Sequence, residues 1–300
     1  MDSLVRAVTR DHAVRLVTVI TTSLSREACR RLEAKGLEAR VIARLCTTSC
    51  MLATIAKEGH ERVMINVRAE GPLGRLVADA WGDGRARACL EQRLSPDDPS
   101  LTTSTSGVRP SIAHAVGTRG NLTVTRDIGL DQQYQGTVEL ISGEIDEDVE
   151  HYLNTSEQLP SVVRCATLLD GHGDVRRCAG IMAQILPGTD PSRLDDIRAR
   201  LQEATLRDVL AQDRTAKQLA TFANGGEPLK THNSTPVRFY CPCDQDHARR
   251  VVSTLGPADL ETLANEQPIT NVRCHFCGHN YALGADVLRK IATELRSKIS

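Results

Sequence analysis

The chain has 300 residues, of which 40% are hydrophobic and 25% are charged, and its formal net charge at pH 7 is −1. This length and composition are typical of a globular protein with one large domain and a small second one, and they exclude disorder as the default state. The near-zero charge excludes a global basic field that would draw the chain to nucleic acid or anionic lipid.

Membrane attachment is not expected. The first residues lack a charged segment followed by an apolar core, and no run approaches the roughly 20 apolar residues that span a bilayer. We therefore expect a cytoplasmic protein with no membrane partner. The ten cysteines of a chain in that compartment should be reduced, metal-bound or redox-active, and should not form a structural disulfide framework.

The first third of the chain predicts a strand and two helices. A β-branched run predicts a strand over residues 14–20, and a helix capped by Ser23 or Ser25 is expected to end at Gly36. Apolar residues at helical spacing predict a second helix over residues 38–56.

A β-meander follows these helices. Val63, Ile65 and Val67 stand at alternate positions, which predicts a half-buried strand. A Gly- and Pro-containing turn at 70–74 then returns the chain into a second strand over 76–81.

The middle of the chain alternates loops with short elements. The polar stretch 95–106 predicts a long loop, and residues 121–128 and 134–141 predict a hairpin. Helical spacing from Ile145 predicts a short helix that stops before Pro160. These elements indicate a β-rich N-terminal domain.

A further hairpin is predicted from the apolar runs 162–169 and 178–186. If residues 171–172 form its two-residue loop, Cys165 lies directly across from Cys178. A slip of one residue breaks that pairing. Two reduced strand cysteines are the ordinary interpretation of this pair, and an auxiliary redox pair is the alternative.

The composition changes after residue 188. Residues 190–217 predict charged helices with thin apolar stripes, and residues 222–235 are rich in Gly, Asn, Pro and Thr, as linkers are. The sequence therefore predicts an α+β protein with three parts: a β-rich N-terminal domain, a helical linker of marginal stability and a small C-terminal domain, spanning residues 1–188, 189–236 and 237–300.

Two closely spaced cysteine pairs stand near the C-terminus, thirty residues apart: Cys241-Pro242-Cys243 and Cys274-His275-Phe276-Cys277. Zn²⁺ prefers four thiolate or imidazole ligands in a tetrahedron, and two such pairs supply all four. We expect one Zn²⁺ per chain in the reduced state. Helices are predicted over 247–255, 257–266 and 285–296 around the site.

The same four sulfurs allow two uses of the metal. Most zinc sites with four cysteine ligands are structural, so the residues by themselves favour a structural site. Zinc also keeps the sulfurs as thiolates, which is the form that oxidants attack, and each pair could then close a disulfide. A redox switch therefore remains the alternative.

Two other classes of protein use such cysteines. A zinc-ribbon nucleic-acid-binding regulator is disfavoured because residues 237–283 hold four arginines against five acidic residues, a poor balance for binding phosphates. A dithiol oxidoreductase would use Cys274 and Cys277 with a thiol donor.

The remaining cysteines and histidines have ordinary interpretations. Cys46 and Cys50 share one helix face, where burial in the core is expected. His275 and His279 are expected to be exposed or to lie outside the ligand set, because four thiolates already saturate the metal. His172 is expected in a turn.

Cys-x-Cys followed after thirty residues by Cys-x-x-Cys resembles the heat-shock protein 33 family of redox-regulated holdase chaperones. Other segments are similar to family landmarks in the same order over nearly the full length: residues 70–74 (EGPLG), 134–136 (YQG), 156–160 (SEQLP) and 180–188 (GIMAQILPG).

This resemblance implies an ATP-independent chaperone that is not an enzyme. It implies that the reduced, zinc-loaded form is inactive, and that oxidation releases zinc and forms the disulfides Cys241–Cys243 and Cys274–Cys277. The linker then unfolds, and the protein becomes a homodimer that holds unfolding client proteins. Because the Cys-x-Cys ring is the more strained, we expect Cys274–Cys277 to close first.

Overall fold

The computed structural model describes residues 1–55, 59–95, 111–129 and 133–299. Its strands are β1 (Ser3–Thr9), β2 (Val14–Ile20), β3 (Arg62–Ala69), β4 (Leu76–Trp81), β5 (Arg85–Leu90), β6 (Gly120–Asp127), β7 (Tyr134–Glu139), β8 (Ser161–Leu169), β9 (Val175–Ile185), β10 (Leu229–Thr231), β11 (Thr235–Pro236), β12 (Arg238–Phe239), β13 (Ile269–Arg273) and β14 (Asn280–Gly284). Its helices are α1 (Thr22–Leu32), α2 (Gly36–Leu52), α3 (Ala113–Val116), α4 (Ile145–Thr155), α5 (Arg193–Arg200), α6 (Glu203–Ala211), α7 (Ala216–Ala223), α8 (Gln245–Val252), α9 (Pro257–Glu266) and α10 (Ala285–Ile299). A short 3₁₀ turn, Ala53–Ile55, follows α2. The fold is α+β, as predicted.

The chain divides into two units, Met1–Tyr240 and Cys241–Ser300. In the first unit, one sheet has the strand order β10-β1-β2-β9-β8, with β11 also paired to β1, and a second sheet has the order β12-β5-β4-β3-β6-β7. In the second unit, β13 and β14 form a hairpin.

Helix α2 occupies the core between strands of both sheets. Almost every residue from Leu37 to Leu52 is buried, and the helix packs against β2, β8 and β9 of the first sheet and β3, β4 and β5 of the second. The helix can be enclosed on all sides because its buried polar residues have partners: Arg44, for example, pairs with Glu144 and Asp146. It thereby fixes the inner faces of both sheets.

Helices α5, α6 and α7 cover the outer face of the first sheet. Their apolar residues pack against strand residues of that face, such as Leu16 and Ile181. The buried helix residues are Leu194, Ile197, Leu201, Leu206, Val209, Leu210, Ala216, Leu219 and Ala223. The segment predicted as a linker is therefore a helical layer on the sheet.

Several predicted boundaries need correction. Helix α1 ends at Leu32, before the predicted end, because Glu33 adopts a left-handed conformation with φ +55° and the Ala34 amide caps the helix by donating to the Cys29 carbonyl. Gly36 begins α2 and does not end α1. The meander, the hairpin β6–β7 and α9 were correctly predicted. Most of the predicted loop 95–106 lies outside the described residues.

The described helices include none with both the length and the hydropathy needed to cross a membrane.

Candidate metal centre

The first cysteine pair lies between β12 and α8. Asp244 caps α8 because its Oδ1 accepts a hydrogen bond of 2.6 Å from the His247 amide. The cap fixes the start of the helix directly after Cys243. Cys241 and Cys243 therefore lie just before a helix N-terminus whose position is fixed.

The second pair lies in the turn between β13 and β14. The Gly278 amide donates to the Cys274 carbonyl at 2.8 Å, and the Cys274 amide donates to the His279 carbonyl at 2.8 Å. Gly278 has φ +69°, a conformation that glycine adopts without steric cost. This tight turn points both thiols of the Cys-x-x-Cys motif to one place.

The four sulfurs converge. The Sγ–Sγ separations are 3.4 Å for Cys241–Cys243, 3.7 Å for Cys241–Cys274 and 3.3 Å for Cys243–Cys277. All four Sγ atoms lie within 4.8 Å of one another. A tetrahedron with metal–sulfur bonds of about 2.3 Å has edges of about 3.8 Å, so the donor set and its size fit a four-coordinate metal ion.

Tyr281 braces this cluster from β14. Its hydroxyl lies 2.8 Å from the Cys243 carbonyl oxygen and 3.1 Å from the Cys243 sulfur, and it can donate to either. This hydrogen bond is not evident from the sequence. A donor to the sulfur stabilises the thiolate and orients it.

Crowding makes these thiols hard to ionise by themselves. Burial raises the pKa of the Cys243 thiol to about 11. The hydrogen bond with Cys241, together with burial, raises the pKa of Cys274. Neighbouring thiolates would repel one another, and a bound divalent cation would offset this electrostatic repulsion.

The two histidines beside the second cysteine pair are not part of the four-sulfur cluster. His275 and His279 are exposed, as expected, and the His279 ring packs edge-on against Tyr281 at 4.6 Å between centroids. The group of metal-ligating side chains found among the described residues consists of the four cysteines.

The other six cysteines are buried, and Cys46 and Cys50 pack in the core as predicted. Burial raises the pKa of Cys29 to about 12 and the pKa of Cys165 well above its usual value. Buried thiols with raised pKa values react slowly with oxidants.

The predicted register of Cys165 and Cys178 is wrong. Cys165 pairs with Gly180, and Cys178 pairs with Thr167. The connecting loop is longer than two residues because Asp170 accepts hydrogen bonds from the amides of both His172 and Asp174, and a register shift follows at Leu168/Leu169. His172 lies in the turn as expected. The auxiliary redox role of the two cysteines stays a prediction.

An aromatic anchor that sequence reasoning did not identify precedes Cys241. Tyr240 packs edge-on against Trp81 at 5.7 Å, and the Arg85 guanidinium lies 4.5 Å from the Tyr240 ring centroid. Phe239 packs under Arg31 at 4.9 Å. Cation–π and aromatic contacts of this kind hold the end of the first unit in place. Trp81 is the chain's single tryptophan and therefore reports on this anchor.

Comparison with known proteins agrees with this architecture. The family model described as "Hsp33 protein" matches residues 2–284. A "33 kDa chaperonin" of Latilactobacillus sakei is 30% identical over 294 residues, which are 98% of this chain and 99% of that protein, and one of Desulforamulus reducens is 30% identical over 299 residues, 99% of each. The crystal structure of the 33 kDa chaperonin (heat shock protein 33 homolog) of Thermotoga maritima has the same fold, with a TM-score of 0.82 at 22% identity over 99% of both chains. The chain belongs to the Hsp33 family of chaperones.

Proposed function

We propose that this protein is an ATP-independent holdase of the bacterial cytoplasm that oxidation activates. Chaperones bind unfolded client proteins, and the family is not one of enzymes. The observation that carries the proposal is the convergence of four thiols within 4.8 Å of one another. Such a cluster can respond to an oxidant in a way that a purely apolar core cannot.

In the reduced state, Cys241, Cys243, Cys274 and Cys277 hold one Zn²⁺. The bound ion supplies folding free energy and keeps the sulfurs as thiolates. The second unit has only a small apolar core, so it is expected to need the folding free energy that the bound ion supplies. Its buried members are Val252, Leu260, Ala264, Leu283, Leu288, Ile291 and Ala292.

Oxidation converts the ligands into two disulfides, Cys241–Cys243 and Cys274–Cys277. With hydrogen peroxide, one thiolate of a pair is oxidised to a sulfenic acid, and the second thiolate attacks that sulfur and displaces water. Each pair of thiolates loses two electrons, and each peroxide takes up these electrons and two protons from the solvent to give two waters. The two disulfides leave no thiolate to bind the metal. Zinc is therefore released, and the second unit loses the stability that the metal supplied.

The outer face of the first sheet is the proposed client surface. Helices α5–α7 shield it, and they are charged on their other sides with thin apolar stripes. Short helices of this kind owe most of their stability to docking. When residues 189–236 unfold, the apolar face is exposed to unfolding clients, and the same face is available for association of two oxidised chains as a homodimer.

The proposal is tested by paired measurements on reduced and oxidised protein. Peroxide with mild heat, or hypochlorous acid, should release one zinc per chain and should make the protein suppress aggregation of an unfolding client without ATP. The reduced protein, treated in parallel, is the control. Zinc release with no effect on aggregation would contradict the chaperone activity, and activity with zinc retained would contradict the switch.

The order of disulfide closure is a separate prediction. The sulfurs of Cys241 and Cys243 lie only 3.4 Å apart, but a Cys-x-Cys disulfide closes a strained ring, so Cys274–Cys277 in its Cys-x-x-Cys turn should close first. Peptide mapping after brief oxidation should find this disulfide with Cys241 and Cys243 still reduced. The reverse pattern would show that the strained pair leads.

A further inference from the structure

Strand β1 is paired on both edges: with one long strand on one side and with two short strands on the other. On one side it pairs with β2 along its length. On the other side it pairs with residues 229–236, which we call the strap. The strap residues Leu229, Lys230 and Thr231 face Thr9, Val8 and Ala7, and Thr235 and Pro236 face Leu4 and Ser3.

Backbone hydrogen bonds hold the strap. Between its two short strands, the His232 amide donates to the Arg6 carbonyl at 2.9 Å. The strap side chains from Lys230 to Ser234 are exposed, and Leu229 and Thr235 are only partly buried. Main-chain pairing does not depend on side-chain identity, so another extended segment can replace the strap without matching its sequence.

The opposite edge of the same sheet is closed in a different way. Along β8, the amides of Ser161, Val163 and Cys165 face helix α4. They donate to the side chains of Asn154, Glu150 and Asp146 at 2.7, 2.9 and 2.8 Å. These acceptors are spaced by four residues on one face of α4, so three successive alternate amides in the first half of the edge have a partner. That helix is part of the core, and the β8 edge stays capped.

The two edges therefore differ in what happens when residues 189–236 leave the sheet. The β8 edge keeps its side-chain caps, but the β1 edge loses its partner and presents unpaired amides and carbonyls. An uncovered edge strand is a template for pairing with another chain. Natural edges are commonly protected by Pro or by charged side chains, and β1 contains no Pro and a single charged residue, Arg6.

We propose that β1, once the strap has left it, captures extended segments of unfolding clients by strand addition. This inference rests on the proposed function and specifies how the client is held: the client backbone adds to the sheet edge, while its apolar side chains contact the uncovered sheet face. Main-chain pairing supplies affinity that does not depend on sequence, as capture of unrelated unfolded chains requires.

Backbone amide hydrogen exchange on the full-length protein tests the proposal in three states. In the reduced protein, the amides of β1 should exchange slowly. In the oxidised protein they should exchange faster, together with the strap. In the oxidised protein saturated with an unfolding client, such as thermally unfolding citrate synthase, β1 should become slow again while the strap stays fast.

Two internal comparisons make this result specific. The edge of β8 should change little between the states because α4 caps it, and β4 should stay protected because it lies between β3 and β5. If β1 stays fast while the client remains soluble and bound, strand addition is wrong and the holdase function stands. If the oxidised protein holds no client at all, the proposed function fails instead.

A pair of variants tests whether the backbone holds the strap. His232→Pro removes the amide that donates to Arg6, whereas His232→Ala keeps it, and the side chain is exposed in both cases. In the reduced protein, His232→Pro should raise the exchange rates of β1 amides about fivefold, as expected for one net hydrogen bond, and His232→Ala should leave them unchanged. Equal effects of both variants would show that the His232 side chain holds the strap. That result would contradict the proposal that any extended segment can replace the strap whatever its sequence.

Discussion

Replacement of Cys277 by serine is expected to abolish stoichiometric zinc binding and to unfold the second unit. Cys277 is the buried member of the cluster, and its sulfur lies 3.3 Å from that of Cys243. A serine hydroxyl is a poor zinc ligand, and structural zinc contributes roughly 10–16 kcal/mol of apparent binding free energy in small peptides. The small core of this unit cannot replace a contribution of that size.

Metal analysis and hydrogen exchange over β13, β14 and α10 measure this effect. Bound zinc should fall from one per chain to near zero, and these elements should lose protection while α2 keeps it. Cys178→Ser is the matched control, because Cys178 is a buried cysteine outside the cluster whose sulfur already contacts hydroxyl groups of Thr47 and Thr167. Full zinc retention in Cys277→Ser, or zinc loss in Cys178→Ser, would contradict the assignment of the ligands.

Gly84→Ala is expected to free the strap without an oxidant. Gly84 has φ +88°, and a Cβ atom there would lie 2.1 Å from the Pro236 carbonyl oxygen, so the backbone of β11 has to move. The same movement strains the hydrogen bond from the Arg238 amide to the Gly84 carbonyl. Overpacking typically costs about 1–3 kcal/mol, which would raise the population of undocked strap by a factor of roughly 5 to 160.

Gly188→Ala is the control variant, because it introduces the same backbone strain as Gly84→Ala without a steric clash. Gly188 has a similar φ of +82°, but no atom lies within 4 Å of its added Cβ. The reduced Gly84→Ala protein should suppress client aggregation, and its Trp81 fluorescence should shift towards that of the oxidised wild type, because the anchor at Tyr240 follows the strap. Identical behaviour of the two variants would show that the close approach to Pro236 does not control docking.

Local patterns in the sequence were enough to predict much of this protein. Alternation at Val63, Ile65 and Val67 predicted β3, because residues two apart share one face of a strand. The Pro257 start and the apolar spacing predicted α9 with both of its ends. The spacing of Cys241, Cys243, Cys274 and Cys277 indicated the four-thiol cluster before any coordinate was known, because short-spaced ligand pairs constrain their own geometry.

Pairing between distant segments was decided by the tertiary structure alone. Strand β1 was not predicted, and neither were β10 and β11, whose polar sequence resembles a linker. Their strand conformation comes from hydrogen bonds to a partner more than 200 residues away, and no local pattern encodes such a partner.

The register of Cys165 and Cys178 depended in the same way on a contact that spacing does not reveal. Two hydrogen bonds to the Asp170 carboxylate lengthen the loop and move Cys178 opposite Thr167. The sequence by itself thus determined the four-thiol cluster, most helices and the strands with clear alternation, because these follow from neighbours along the chain. Only the tertiary structure decided which edge of the sheet is capped by side chains and which is covered by the strap, because that difference arises from segments that meet only in the folded protein.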